Sequence, residues 1–177
     1  DVAGDAYVTT FVEAGSASEV FETQQEALTE VVNRLGWTVE NIRLDKLGAP
    51  MGEKAGDGSP QPDMAESRFS ARSLEDIRDN VRGLERLFFG GSAEDQIGLN
   101  VYLAEQGSPL DSEARAVFDA AYAGLDAIPE PLTSAIFDAP ESVQSSIDAF
   151  TELQKFFQTD VASQLSVVIG FNDTDGD

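Results

Sequence analysis

The chain has 177 residues, 33 of them Asp or Glu against 11 Lys or Arg, for a formal charge of −22. That length suffices for one well-cored domain, and that charge repels nucleic acid and anionic lipid. Neither cysteine nor histidine occurs, which excludes disulfides, zinc–thiolate sites, Ser-His-Asp catalysis and an HExxH zinc site within this chain.

In chain order, Asp5 to Ala14 places Tyr7, Val8, Phe11 and Val12 on one helical face and stops at Gly15. It reads as the tail of a helix that begins upstream, so residues 1–15 are assigned to a preceding half and residues 16–177 to the domain proper. The opening at Asp1, with neither an initiator Met nor a signal peptide, fits a processed form or a fragment. From Ser18 to Leu47, the apolar residues Leu28, Val31, Val32, Leu35, Val39 and Ile42 recur at three- and four-residue steps, which is helical periodicity. Gly48 supplies a stop and Pro50 opposes continuation, giving a rod of about 45 Å followed by a Gly/Pro-rich loop over 48–63.

The spacing predicts a further helix from a Ser73–Asp76 capping pair through Leu74, Ile77, Val81, Leu84 and Phe88, ended by Gly90 and Gly91. A short helix is expected at Ile97 to Glu105, and a longer one from Asp111 as N-cap to Ile128, stopped by Pro129 and Pro131. A single turn over Leu132 to Phe137 leads to Pro140, well placed to start a helix that runs to Leu165. The VVIGF run is expected to be its fraying end rather than a strand, before the polar tail NDTDGD. No segment alternates with a period of two. About four long helices plus short ones predict an all-α, antiparallel up-and-down bundle. No apolar run approaches the ~20 residues of a membrane span.

Three groups of residues invite chemistry. Arg68, Arg72, Arg78, Arg82 and Arg86 concentrate positive charge, the last three along one helix edge. They either pair with Glu66, Glu75, Asp79, Glu85 and acids of a neighbouring helix, or present a docking edge for another domain or an anion. Glu66, Ser67, Arg68 and Ser70 gather a carboxylate, two hydroxyls and a guanidinium in an irregular stretch. Neither serine has a histidine or a lysine beside it to act as base. The tail Asn172 to Asp177 spaces acids before Gly176 as calcium loops do, but the chain ends before the acid that would complete an EF-hand. Trp37 and the phenylalanines at helical spacing read as core.

Three segments together resemble the imelysin (insulin-cleaving metallopeptidase-like) family. ESRFSARSLEDIRDNVRGLERLFFG is similar to its ESxxS segment followed by a D-x-x-x-N helix. GLNVYL to the AIPEPL turn is the second segment, and the ending LSVVIGFNDTDGD is the third and most specific. The resemblance covers most of residues 20–177 and implies a helical fold in which full-length members have two bundle-like halves. It also implies export to a periplasm or cell surface, with lipid anchoring through an upstream segment open, and an association with iron uptake in some relatives. The family's GxHxxE metal motif cannot be carried onto a chain without histidine, so no metal or other cofactor is expected here. A divalent metal remains possible in the full-length protein.

The matched positions are Glu66, Ser67, Ser70, Asp76 and Asn80, with Asn172, Asp173 and Asp175 at the end; Arg68 lies among them. The leading expectation is a non-catalytic C-terminal domain whose polar end meets the N-terminal half around a metal ion or a small anionic or peptidic ligand. The alternatives are half of a metallopeptidase, and an acidic protein that binds cations directly.

Overall fold

The computed structural model describes residues 2–91 and 97–170. The described residues are helical, without a strand, and run through α1 (Val2–Val12), α2 (Gln24–Asn41), α3 (Ala49–Met51), α4 (Ser73–Phe89), α5 (Leu99–Glu105), α6 (Asp111–Asp126), α7 (Leu132–Asp138), α8 (Pro140–Lys155) and α9 (Ala162–Gln164). π-helical segments at Ile42–Gly48 and Phe156–Val161 join α2 to α3 and α8 to α9. Two continuous rods result, Gln24–Met51 and Pro140–Gln164.

The expected all-α bundle is present, and cross-helix contacts fix its directions. Arg43 meets Gln154 while Gly36 faces Gln158, so α2 and α8 are antiparallel. Arg78 meets Asp126 and Tyr122 meets Glu85, so α4 and α6 are antiparallel. Gly124 faces Ser146 and Phe118 meets Phe157, which opposes α6 and α8 in the same way. At Gly124 a side chain would sit 3.1 Å from the Ser146 Cα, so glycine lets these two helices approach closely. One core runs through all four long helices, from Val32, Leu35 and Val39 to Ile77, Val81 and Phe88, then Phe118 and Leu125, then Phe150 and Leu153.

Several ends differ from the sequence expectation. The first rod starts at Gln24, not near Ser18, because Thr23 and Glu26 form a reciprocal capping box while the Ser18 hydroxyl accepts from the Val20 and Phe21 amides. It does not stop at Gly48. The Ala49 amide bonds to the Leu44 carbonyl, five residues back, and this widened turn carries Gly48, Ala49 and the ring of Pro50 inside the helix. The stop is Gly52, at φ +95, where a side chain would collide with the Ser59 carbonyl. The loop expected over 48–63 therefore begins four residues late, and Pro62–Met64 within it forms a 3₁₀ turn.

Ser73 does not cap α4; its hydroxyl donates to the Glu66 carbonyl instead. Asp111 likewise accepts from the Asn100 amide rather than capping α6. The VVI stretch is not a frayed helix. Ser166, at φ 52, turns the chain back, and residues 167–170 run as an extended strap along α2. Gln25 donates to the Leu165 and Ser166 carbonyls (2.8 and 3.2 Å). Asn33 bonds both Val168 O (3.2 Å) and Gly170 N (3.1 Å), and the Trp37 indole donates to Gly170 O (3.1 Å). Trp37 is thus half-buried and polar in role, with Arg34 stacked on its ring, rather than a core residue.

α1 stands apart from the main core. Phe11 stacks on Phe21 in a satellite cluster with Ala14 and Ala27, and Tyr7, Val8 and Val12 stay exposed. No described helix is long and apolar enough to cross a membrane.

Candidate functional site

The C-terminal end of the first rod, the N-terminal end of α4 and the loop between them meet at one end of the bundle. The π turn aims Lys46 across this junction. Its ammonium donates to Asn80 Oδ1 on α4 (2.8 Å) and pairs with Glu66 Oε2 on the loop (2.7 Å). The Lys46 side chain is only 17% exposed whereas Glu66 is 54% exposed, so a fixed, shielded cation meets a carboxylate that faces solvent.

The loop that supplies Glu66 is fastened to itself. Ser67 and Ala71 both take left-handed backbone angles (φ 54) that are unfavourable for residues with a side chain. The Ser67 carbonyl accepts from the Ser70 amide and hydroxyl (3.1 and 3.0 Å) and from the Arg72 amide (3.4 Å). With Ser73 holding the Glu66 carbonyl, the backbone on both sides of the Glu66 carboxylate is pinned.

Asp76, one turn before Asn80, completes the cluster. A hydrogen bond from the Ser67 side chain holds its carboxyl below the usual carboxylate range; desolvation opposes it, and Arg72 and then Lys46 add smaller lowering effects. Beside the Lys46–Glu66 pair opens a groove of about 280 Å³. Lys54 also lines it, paired with Asp45, which accepts from Asn41 as well (2.7 Å).

Of the positions singled out in the sequence, Glu66, Ser67, Asp76 and Asn80 come together. Ser70 serves the loop's own fastening. Arg68 turns away, pairing with Asp63 and stacking on the ring of exposed Phe69. Asn172, Asp173 and Asp175 lie outside the described residues. The strap's last described residue, Gly170, lies beside Trp37, about 13 Å along the rod from Lys46.

Most of the arginine group pairs internally, though Arg86 of the edge makes no ion pair among the described residues. Arg78 is held by Asp126 (3.2 Å), Glu130 (3.1 Å) and the Leu125 carbonyl, Arg82 by Glu75 and Asp79, and Arg72 by Asp76. Glu66 and Glu85, counted among the expected partners, instead serve Lys46 and Tyr122. Lys46 itself went unnoticed in the sequence. It reaches Glu66 through the tertiary fold, from twenty residues upstream.

Comparison with known proteins gives this arrangement a context. The model of the imelysin family, Peptidase_M75, matches residues 5–157. The chain belongs to the imelysin family. It is 28% identical over 129 residues to iron-regulated protein A of Synechococcus elongatus, covering 72% of this chain and 35% of that protein. A solved imelysin peptidase from Bacteroides ovatus superposes with a TM-score of 0.74 at 20% identity, over 90% of this chain and 45% of that one. The chain thus spans less than half the length of either relative, and the structural likeness speaks for the fold alone.

The residues present do not suit the metal implied by an imelysin GxHxxE motif. The chain has no histidine, and among the described residues no three acids converge as a metal-holding group. Asp45 and Glu66 each engage a lysine instead.

Proposed function

We propose that this chain is the C-terminal part of an exported imelysin-like protein, acting at the periplasm or cell surface in iron handling, and that its Lys46 cluster forms one wall of a ligand site completed by an N-terminal half. The observation that carries this reading is the Lys46–Glu66–Asn80 junction. A shielded ammonium is fixed by an amide at the mouth of an open groove, over a loop bent at two unfavourable backbone positions. Such a cluster adds little to fold stability, because a desolvated cation costs about as much as its pairing returns. Strained loops of this kind concentrate at ligand sites.

The iron association comes from the relative named iron-regulated protein A. Export and the second half come from the family resemblance and from the part of both relatives that this chain does not span. This wall contributes cations, an amide and engaged carboxylates, so metal-coordinating groups would come from the other half.

The test uses the longer protein, with and without the double substitution Lys46→Met, Asn80→Ala. Calorimetric titration with Fe(II) or Zn(II), alone and with a small anion, is expected to show at least tenfold weaker binding in the variant. Equal affinity would reject the wall. Chelator-sensitive cleavage of a peptide by the longer protein would make the completed site a peptidase.

A further inference from the structure

Lys46 and Glu66 are unequal partners. The lysine is anchored on a helix, bonded to Asn80 and largely shielded, whereas the glutamate reaches in from a loop and is half in solvent. A shielded ammonium needs an anion beside it, but the anion need not be this one. We propose that Glu66 is an internal stand-in for a ligand carboxylate on Lys46, and that the groove takes a small dicarboxylate.

A second lysine of the groove lining repeats the pattern. Lys54, half exposed, carries Asp45 as its resident carboxylate, and Asp45 is shared with Asn41. Two ammoniums therefore face one groove, each already holding a carboxylate of the chain. A ligand with a carboxylate at either end can replace Glu66 and Asp45, which return to water at modest cost because both are already substantially exposed. The volume of about 280 Å³ suits a compact diacid and lies below the range of larger ligands. A bare cation is the poorer occupant, since both acids are engaged and no third acid converges on them among the described residues.

This inference deepens the reading of the Lys46 cluster as a ligand wall and rests on it, but its test needs only the 177-residue chain. Succinate, acetate and inorganic phosphate are titrated calorimetrically into the wild-type chain, Glu66→Gln, Lys46→Met and the double variant, with helicity checked for each. Glu66→Gln keeps the side chain's shape and releases its charge. It should bind succinate at least tenfold more tightly than wild type, and acetate and phosphate at least tenfold more weakly than succinate. Adding Lys46→Met should abolish the gain, because the coupling runs through that one ammonium. Equal succinate affinity in Glu66→Gln and wild type would overturn the proposal, as would a gain that survives in the double variant. Phosphate binding as tight as succinate would overturn the dicarboxylate assignment. A wall that fails in the longer protein while Glu66→Gln binds succinate here would separate the two readings.

Discussion

Two rods of this bundle contain the same backbone irregularity and use it differently. In the second, the π segment Phe156–Val161 turns consecutive phenylalanines into the core. Phe156 and Phe157 are both essentially buried and stack edge-on with Phe88 at 5.4 and 6.1 Å. An α-helix separates neighbours by about 100°, so burying two adjacent rings needs a wide inward face, which the wider turn helps to provide. In the first rod, Ile42–Gly48 also buries consecutive residues, Leu47 through Pro50, but the opposite side of that turn presents Asp45 and Lys46 to a groove. A π turn is therefore not a functional mark by itself. It becomes one where the polar residues it displaces meet a second element, as Lys46 meets Asn80 and Glu66.

The contrast can be broken most forcefully at the aromatic turn. Phe157→Ala removes a ring that touches Phe88, Phe118 and Phe156 and should cost about 3–5 kcal/mol in denaturant unfolding. If the second π turn serves packing alone, succinate affinity measured in the Glu66→Gln background should not change. A parallel loss would show that the two turns are coupled. Lys46→Met probes the other turn and should cost less, about 1 kcal/mol, because it leaves Asn80 Oδ1 without its donor at a partly open site. Unfolding in urea separates the two effects. If Lys46→Met destabilised as much as Phe157→Ala, the ammonium would be structural and not reserved for a ligand.

Much of this contrast lies below what the sequence displays. The four long helices were legible because burial imposes a three- and four-residue period, and Val32, Leu35, Val39 and Ile77, Val81, Phe88 keep it. The π turns were not, since hydrophobic spacing tolerates one extra residue per turn and Gly48 with Pro50 imitates a stop. Glu66 and Ser67 stand out as part of an irregular polar stretch, Asp76 and Asn80 only through family resemblance, and their proximity follows from the loop's return onto α4. Lys46 carried no local signal at all; only the antiparallel return of α4 sets Asn80 opposite it. The strap has no local signature for a related reason, because the groups that hold it, Asn33 and Trp37, lie more than a hundred residues away in sequence.

The strap gives a smaller effect that tests whether the groove end and the chain's close act together. Trp37→Phe keeps the ring's bulk and removes the donor to Gly170 O, for an expected loss of about 1 kcal/mol. Amide exchange should quicken at Gly170, whose N–H donates to Asn33, while the Phe88 region stays protected. If exchange quickened across α2 as a whole, the strap would be part of the bundle's cooperative unit rather than an attachment to it.

The pH dependences have opposite signs in the two regions. Asp76, near the Lys46 cluster, has its carboxyl held below 3.8 in the fold, so its contribution is full above pH 3.8 and is lost as pH falls below that value. Tyr122, between α4 and α6, is pushed up to about 12 by burial first and by its hydrogen bond to Glu85 second. Folding favours its protonated form, so its contribution is full below pH 10 and is lost as pH rises toward 12. Unfolding midpoints across pH should therefore flatten at the acid end in Asp76→Asn and at the alkaline end in Tyr122→Phe, with neither variant altering the other limb. An acid limb unchanged in Asp76→Asn would mean that the Ser67 hydrogen bond shapes the loop without stabilising the fold through this carboxylate.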